Sequence, residues 1–325
     1  MQSPRIIADI GGTNARFAYA ASEGSIEQEK VLKTVDFETF EAALADYLGH
    51  LPSDINTPEE ICLAVAGPIH DGVVKMTNTH WVIDQHTLLS GTFHNNRFSK
   101  AAVINDFEAI AISLPHLNDE QKASLGGGQE DHNCPMTVLG PGTGLGAALC
   151  TPFNGHWVPF ATEGGHVSLG PVTAREFKLF QFWRDKGLDT AREYYLSGPG
   201  LERIYQAVSV ELTGSATTLN AAEISQLAAE GDSTALAAID CFCALLGSAA
   251  GDQALATGAR GGVFIAGGIS LKLIDFLRRS SFRKRFESKS SMQPYLAKIP
   301  TYVITEPNPG LIGSSYACID TQMKG

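Results

Sequence analysis

Two glycine turns and a small set of carboxylates carry the chemistry legible in this 325-residue sequence. Asp9 precedes Gly11-Gly12-Thr13-Asn14, and Gly142-Thr143-Gly144-Leu145-Gly146 follows the apolar run Met136 to Leu139. A tight glycine turn between strands exposes backbone N–H groups with no side chain in the way, so it can wrap an anion. Two such turns facing each other, with Thr13 and Thr143 adding hydroxyl donors, would grip a polyphosphate from both sides. Asp9 cannot bind a phosphate directly but is placed to hold the waters of a Mg²⁺ that does. The plainer alternative for Asp9 is a turn cap. Asn105-Asp106 ends the apolar run Ala101 to Ile104, where open α/β sheets place ligands. A carboxylate there can accept the proton of an alcohol as its oxygen attacks phosphorus. Helix capping is the competing role for Asp106. Glu163-Gly164-Gly165-His166, Glu193 and Asn78 offer the mixture of acceptors and donors that satisfies the hydroxyls of a polyol. Taken singly, His166 also reads as a structural histidine and Glu193 as a solvated helix residue. Glu163 and His166 lack a third nearby ligand for a metal.

The elements around these residues follow from periodicity. Arg5 to Ile10 is a β-branched strand, Asn14 to Ala21 its hairpin return and Lys30 to Phe37 a possible third. Phe40, Ala43, Leu44, Tyr47 and Leu48 keep helical spacing, so 38–51 reads as a helix. Ile61 to Ala66, Val73 to Met76 and Ala101 to Ile104 are further strands. The polar stretch Pro115 to Pro135 reads as a crossing between domains. Beyond it, a second α/β unit begins at Met136, with helical patterns at 173–186, 189–196, 199–211 and 221–256. The strand Gly262 to Ala266, an amphipathic helix 271–286, a strand Tyr302 to Thr305 and a closing helix 309–320 complete it. Gly12-Thr13 and Gly142-Thr143, with Ala18 and Ala148, recur at an offset of 130. That pattern fits two related domains, each presenting a hairpin turn, although glycine turns also recur by chance.

Composition removes several classes. With 24 Lys+Arg against 35 Asp+Glu, the net charge of −11 argues against a nucleic-acid binder. The most apolar stretch, Ala235 to Ala256, is interrupted by Asp240 and Asp252 and reads as a core helix, so no membrane partner is expected. The start of the chain has no signal-peptide pattern, and six cysteines without a CxxC pair suit reduced thiols in a cytoplasm. There is no GxxxxGK[ST] loop. Gly142 to Ala147 fits a permissive dinucleotide fingerprint, but that motif must open a helix and the residues after it read as a hairpin. The basic run Arg278, Arg279, Arg283, Lys284 and Arg285 reads as a solvated helix face.

Taken in order, Asp9-Ile10-Gly11-Gly12-Thr13-Asn14, Ile104-Asn105-Asp106-Phe107, Gly140 to Gly146, Glu163 to His166, Leu196 to Gly200 and Phe264 to Ile269 closely resemble the bacterial glucokinase family of actin-like, hexokinase-type ATPases. The resemblance runs from Asp9 to Gly313. It implies two actin-like (ribonuclease H-like) α/β domains flanking a catalytic cleft, a small one at 1–115 plus 306–325 and a large one at 116–305. It implies that Asn105, Asp106, Glu163, His166 and Glu193 hold glucose, with Asn78 a further candidate, and that Asp106 is the base for the 6-hydroxyl. ATP would meet Asp9, Gly11, Gly12, Thr13, Asn14, Gly142, Thr143 and Gly144 through its phosphates, and Gly267, Gly268 and Ile269 on its adenosine side. Mg²⁺ would be held by Asp9 through water. The activity implied is ATP-dependent formation of glucose 6-phosphate and ADP, the entry step of glycolysis, in a cytoplasmic homodimer. A kinase of another hexose and a non-catalytic sugar sensor are the alternatives. A neighbouring actin-like family carries a zinc-binding cysteine cluster after its Gly-Gly-His element, and here no Cys lies between Cys150 and Cys241.

Overall fold

The computed structural model describes residues 3–76 and 79–319. Two compact units form, Met1–Leu117 with Pro307–Gly325, and Asn118–Glu306. In the first, strands β1 (Arg5–Ile10), β2 (Asn14–Ala20), β3 (Glu27–Lys33), β4 (Glu60–Val65) and β7 (Lys100–Asn105) form one sheet in the order β3-β2-β1-β4-β7. β5 (Val73–Lys75) and β6 (Val82–Asp84) make a separate antiparallel pair. β1 returns antiparallel into β2 but runs parallel to β4, and β4 runs parallel to β7. The carboxyl ends of β1, β4 and β7 therefore share one edge, which places Ile10, Val65 and Asn105 in register.

Every residue of β4 is buried, as expected of a central parallel strand covered on both faces. On one face Phe17 stacks on Phe40 and Tyr47, and Trp81 meets Phe40 edge-on. On the other, Cys62 and Ile112 pack with Ala317 and Ile319, bringing the end of the chain back to this unit. Arg5 fastens that return, pairing with buried Glu60 at 2.8 Å and donating to the carbonyls of Ser315 and Ala317. The helices Asp106–Ser113 and Pro309–Tyr316 cross at Gly313, where an added Cβ would collide with the carbonyl of Ala109.

The second unit repeats this topology. Strands β8 (Lys122–Gly126), β9 (Met136–Pro141), β10 (Leu145–Phe153), β11 (His156–Thr162), β12 (Gly262–Ile265) and β13 (Thr301–Ile304) follow the order β11-β10-β9-β12-β13-β8. A meander of three antiparallel strands leads to two parallel ones, as in the first sheet. β8 adds an antiparallel edge beyond β13. It lies inside the stretch read from sequence as a polar crossing, because only Leu125 of its five residues is buried. The helix Ser233–Thr257 is long and apolar enough to cross a membrane by length and composition, yet 78% of its apolar window is buried inside the unit. Gly247 and Gly251 let it approach the carbonyls of Phe282 and Phe286 without an intervening side chain.

Several element boundaries differ from the periodicity. The helical pattern 221–256 is two helices, Ala221–Ala229 and Ser233–Thr257, broken where Gly231 takes φ 92° and Asp232 caps the second by accepting from Ala235 N–H. The amphipathic stretch 271–286 is likewise three short helices, Gly268–Lys272, Ile274–Arg279 and Phe282–Glu287. The third strand ends at Lys33 rather than extending to Phe37. The basic run is not one solvated face either. Arg285 is buried and paired with Glu176 and Ser248, and Arg283 donates to the carbonyls of Leu296, Ala297 and Ile299.

Replacing a helical Gly by Ala normally stabilises by about 1 kcal/mol. At Gly313 the clash with Ala109 outweighs that gain, so Gly313→Ala should lower stability by about 1–3 kcal/mol, seen as an earlier urea midpoint. A later midpoint would contradict the backbone-contact account.

Candidate active site

In the first unit the turn between β1 and β2 is closed by Gly11 N–H donating to Asn14 O at 2.9 Å. Thr34, just past β3, donates from its backbone N–H to Thr13 O at 3.0 Å and from Oγ1 to Gly12 O at 2.8 Å. The turn's carbonyls are thus occupied, while the Gly12 and Thr13 N–H groups have no protein acceptor among the described residues. That polarity suits an anion. A cavity of about 330 Å³ opens beside the turn, lined by Gly12, Thr13, Lys33, Thr34, Val35, Thr79 and His80, with no carboxylate among them. Lys33 and His80 were not singled out in the sequence, since neither stands next to a recognisable motif. Asn78 lies outside the described residues.

Asp9 sits opposite Arg16 in the hairpin register. Burial pushes its carboxyl pKa up, against the pull of the Arg16 guanidinium. Gly310 opens room for it: a Cβ there would stand 3.3 Å from Asp9 Oδ2. Asp106 is the first residue of the helix Asp106–Ser113, and its cap is Asn105, which accepts from Phe107 N–H at 2.9 Å. Glu108 completes the capping box by accepting from Asn105 N–H at 2.9 Å. Capping thus belongs chiefly to Asn105, although Asp106 Oδ1 also accepts from Phe107 N–H. Burial raises the Asp106 carboxyl to about 6; the Phe107 hydrogen bond opposes this and the nearby Asp9 charge adds to it. Two half-buried carboxylates within electrostatic reach of one another make this edge a natural place for a proton acceptor or a cation.

The second unit gathers the remaining residues. Its turn is closed by Gly142 N–H to Gly144 O at 2.8 Å, and Gly198 N–H donates to Gly142 O at 2.8 Å. The turn joins antiparallel β9 and β10 and opens no helix, so the dinucleotide fingerprint is rejected on geometry. Glu193, in the helix Arg192–Tyr195, accepts from Leu145 N–H at 2.9 Å, and Gly144 leaves space for its carboxylate. Ser197 caps the helix Gly198–Thr213, accepting from Gly200 N–H, and donates its hydroxyl to Glu193 O. Gly267, at φ 89°, lies against the carbonyl of Pro141, and Ile269 reaches within van der Waals range of Gly198. The loops carrying Gly142, Gly198 and Gly267 to Ile269 therefore converge.

Glu163 to His166 forms a tight turn, with His166 N–H donating to Glu163 O at 3.0 Å. Glu163 and His166 side chains stand 3.7 Å apart and are largely exposed, while Gly164 and Gly165 are buried. Gly165 rests on the Leu145 carbonyl, where a Cβ could not fit. Arg192 N–H donates to Val167 O at 2.9 Å, so the helix bearing Glu193 runs alongside this turn.

Two α/β units with one shared sheet topology, each presenting a glycine hairpin, define the actin-like ATPase fold, and a crystal structure of a glucokinase from an Antarctic psychrotroph shares it. That structure matches with TM-score 0.90 and 38% identity over 97% of this chain and 98% of its own. The Glucokinase family model matches residues 6–321, and the chain belongs to the glucokinase family. Glucokinase of Colwellia psychrerythraea is 39% identical over 322 residues, covering 95% of this chain and 94% of that protein. The "Bifunctional protein glk" of Burkholderia orbicola is 40% identical over 313 residues, 96% of this chain. The chain spans about half the length of that relative, 48%.

The raised Asp106 pKa has a signed consequence for stability. Below about pH 4 both folded and unfolded chains hold the proton; between 3.8 and about 6 the unfolded chain releases it first. Folding stability contributed at this site therefore falls as pH rises through that window, and the cost persists at neutral pH. Asp106→Asn, which cannot ionise, should melt about 2–4 °C higher than the parent at pH 7.5, with the gap closing below pH 4. Equal melting points at pH 7.5 would refute the desolvation account.

Proposed function

We propose that this chain is an ATP-dependent glucokinase that transfers the terminal phosphoryl group of ATP to the 6-hydroxyl of glucose. The observation that carries the reading is the Asp106 carboxylate: burial holds it near a pKa of about 6, at the head of a helix and beside a second acid, in a chain of this family. At neutral pH such a group is ionised yet basic enough to take a hydroxyl proton. As O6 attacks the terminal phosphorus, its proton passes to Asp106, the bond from phosphorus to the bridging oxygen breaks, and ADP leaves. Glu163, His166, Glu193 and Asn105 are assigned to the sugar hydroxyls, as is Asn78. The turn amides from Gly11 to Asn14 and from Gly142 to Gly144 are assigned to the ATP phosphates, and Gly267 to Ile269 to the adenosine side. The residues fit a Mg²⁺ at Asp9, whose half-buried carboxylate would hold it through water and whose raised pKa a cation would relieve, supplying positive charge to the polyphosphate.

Five of the six cysteines are buried free thiols, which supports a cytoplasmic setting at the entry of glycolysis. A homodimer is part of the same proposal, as the family resemblance implies.

Coupled detection of ADP against a panel of hexoses tests the whole reading, glucose being the expected acceptor; ADP formation that ignores every hexose refutes it. Asp106→Ala should lower kcat by about 10² or more while the protein stays folded. The parent's kcat should fall on the acid side with an apparent pKa near 6, the protonated base being idle. Glu163→Gln and His166→Ala should raise the KM for glucose far more than that for ATP, and an equal rise in both would sink the sugar assignment.

A further inference from the structure

Beneath the Glu163 to His166 turn lies a buried cation that the proposed chemistry leaves unused. Arg192 is 5% exposed and opens the four-residue helix Arg192–Tyr195. Its Nη1 donates to Gly164 O at 3.4 Å and to Gln253 Oε1 at 3.3 Å, and Nη2 stands 4.0 Å from Asp252 Oδ2. Its Nε is buried without a hydrogen-bond partner among the described residues. Its backbone N–H meanwhile holds Val167 O at 2.9 Å. One residue therefore grips the turn at both Gly164 and Val167, and the next residue, Glu193, grips the second glycine hairpin through Leu145 N–H.

These contacts are poor compensation for burying a guanidinium. Both hydrogen bonds are near the long limit, one donor is orphaned, and the only carboxylate within ion-pair distance among the described residues also serves Lys289. Were filling the space the only requirement, an apolar side chain would do it with less desolvation. What an apolar side chain could not provide is a charged donor such as Nη1, which addresses the Gly164 carbonyl and the Gln253 amide oxygen at once. Gly164 has little freedom to move otherwise, since a Cβ there would press on Ala147 and Thr162.

We infer that Arg192 is a positioning residue for sugar recognition: its guanidinium fixes the Gly164 carbonyl, and through it the spacing of Glu163 and His166 from the neighbouring Glu193. It touches no substrate. The inference rests on the assignment of those three side chains to glucose, and it adds that their mutual geometry is set from below by one buried charge.

The test compares Arg192→Met and Arg192→Lys with the unsubstituted protein by the KM for glucose, the KM for ATP, kcat and the urea midpoint. Arg192→Met should raise the KM for glucose at least tenfold with the KM for ATP changed less than twofold, and Arg192→Lys, which keeps a donor and the charge, should recover part of that loss. An unchanged glucose KM in folded Arg192→Met overturns the inference. So does an equal rise in both KM values, a Lys variant no better than Met, or failure of both variants to fold, which would make the residue purely structural. If the unsubstituted protein phosphorylates no hexose, the functional reading itself falls; if it does and the variants keep its glucose KM, only the role of Arg192 falls.

Discussion

Direct contact of backbone with backbone, at places where no side chain could intervene, is the constraint on which this architecture depends. Gly165 lies on the Leu145 carbonyl, Gly267 on that of Pro141 and Gly313 on that of Ala109. The first two bring the Glu163 to His166 turn and the Gly267 loop onto the ends of β9 and β10, where the second hairpin turns. The third seats the chain's closing helix against the helix that Asp106 begins. Glycine is abundant here, 33 of 325 residues, and several of these glycines stand where segments touch without spacers. A methyl group at any of these three points would push the contacting segments apart.

Charge follows a similar economy. In a chain of net charge −11 the first hairpin makes a local exception, with Thr34 occupying the Gly12 and Thr13 carbonyls. What the turn then offers outward is N–H, beside a cavity free of carboxylates and bearing Lys33. Asp9 and Asp106, in contrast, are held where burial raises both their pKa values, and the Asp9 charge adds to the cost of ionising Asp106. Carboxylates kept from bulk water in this way are costly to ionise, which is the environment that suits a proton acceptor or a cation.

Much of this was legible in the sequence, for identifiable reasons. The glycine turns, the Asn105-Asp106 step at a strand end and the Glu163 to His166 turn are contiguous, so local pattern reveals them. The offset of 130 between Gly12-Thr13 and Gly142-Thr143 corresponds to two sheets with the same strand order. Lys33, His80 and Arg192 were not legible, because their roles arise from tertiary neighbours: a cavity wall for the first two, Gly164 and Gln253 for the third. β8 was hidden for another reason. An edge strand with one buried face position carries almost no periodic signal. The basic run misled because charge density is local, whereas the burial of Arg285 depends on Glu176, 109 residues away.

Corresponding strands of the two units each run into an acidic residue. In the first unit β7 runs into Asn105-Asp106 and the helix Asp106–Ser113; in the second, β13 runs into Thr305-Glu306, after which the chain passes to the first unit's helix Pro309–Tyr316. An acidic residue thus follows the corresponding strand in each half. Glu306 is consumed structurally: its Oε2 accepts from Gln121 Nε2 at 2.6 Å, and its backbone N–H donates to Gln121 O. Around Asp106, Asn105 and Glu108 form the capping box, and although hydrogen bonds from Phe107 N–H and the Asn105 side chain favour its ionised form, burial outweighs them and raises its pKa to about 6. The two acids differ in their partners: Glu306 is tied to Gln121, whereas Asp106 is held by burial at a raised pKa.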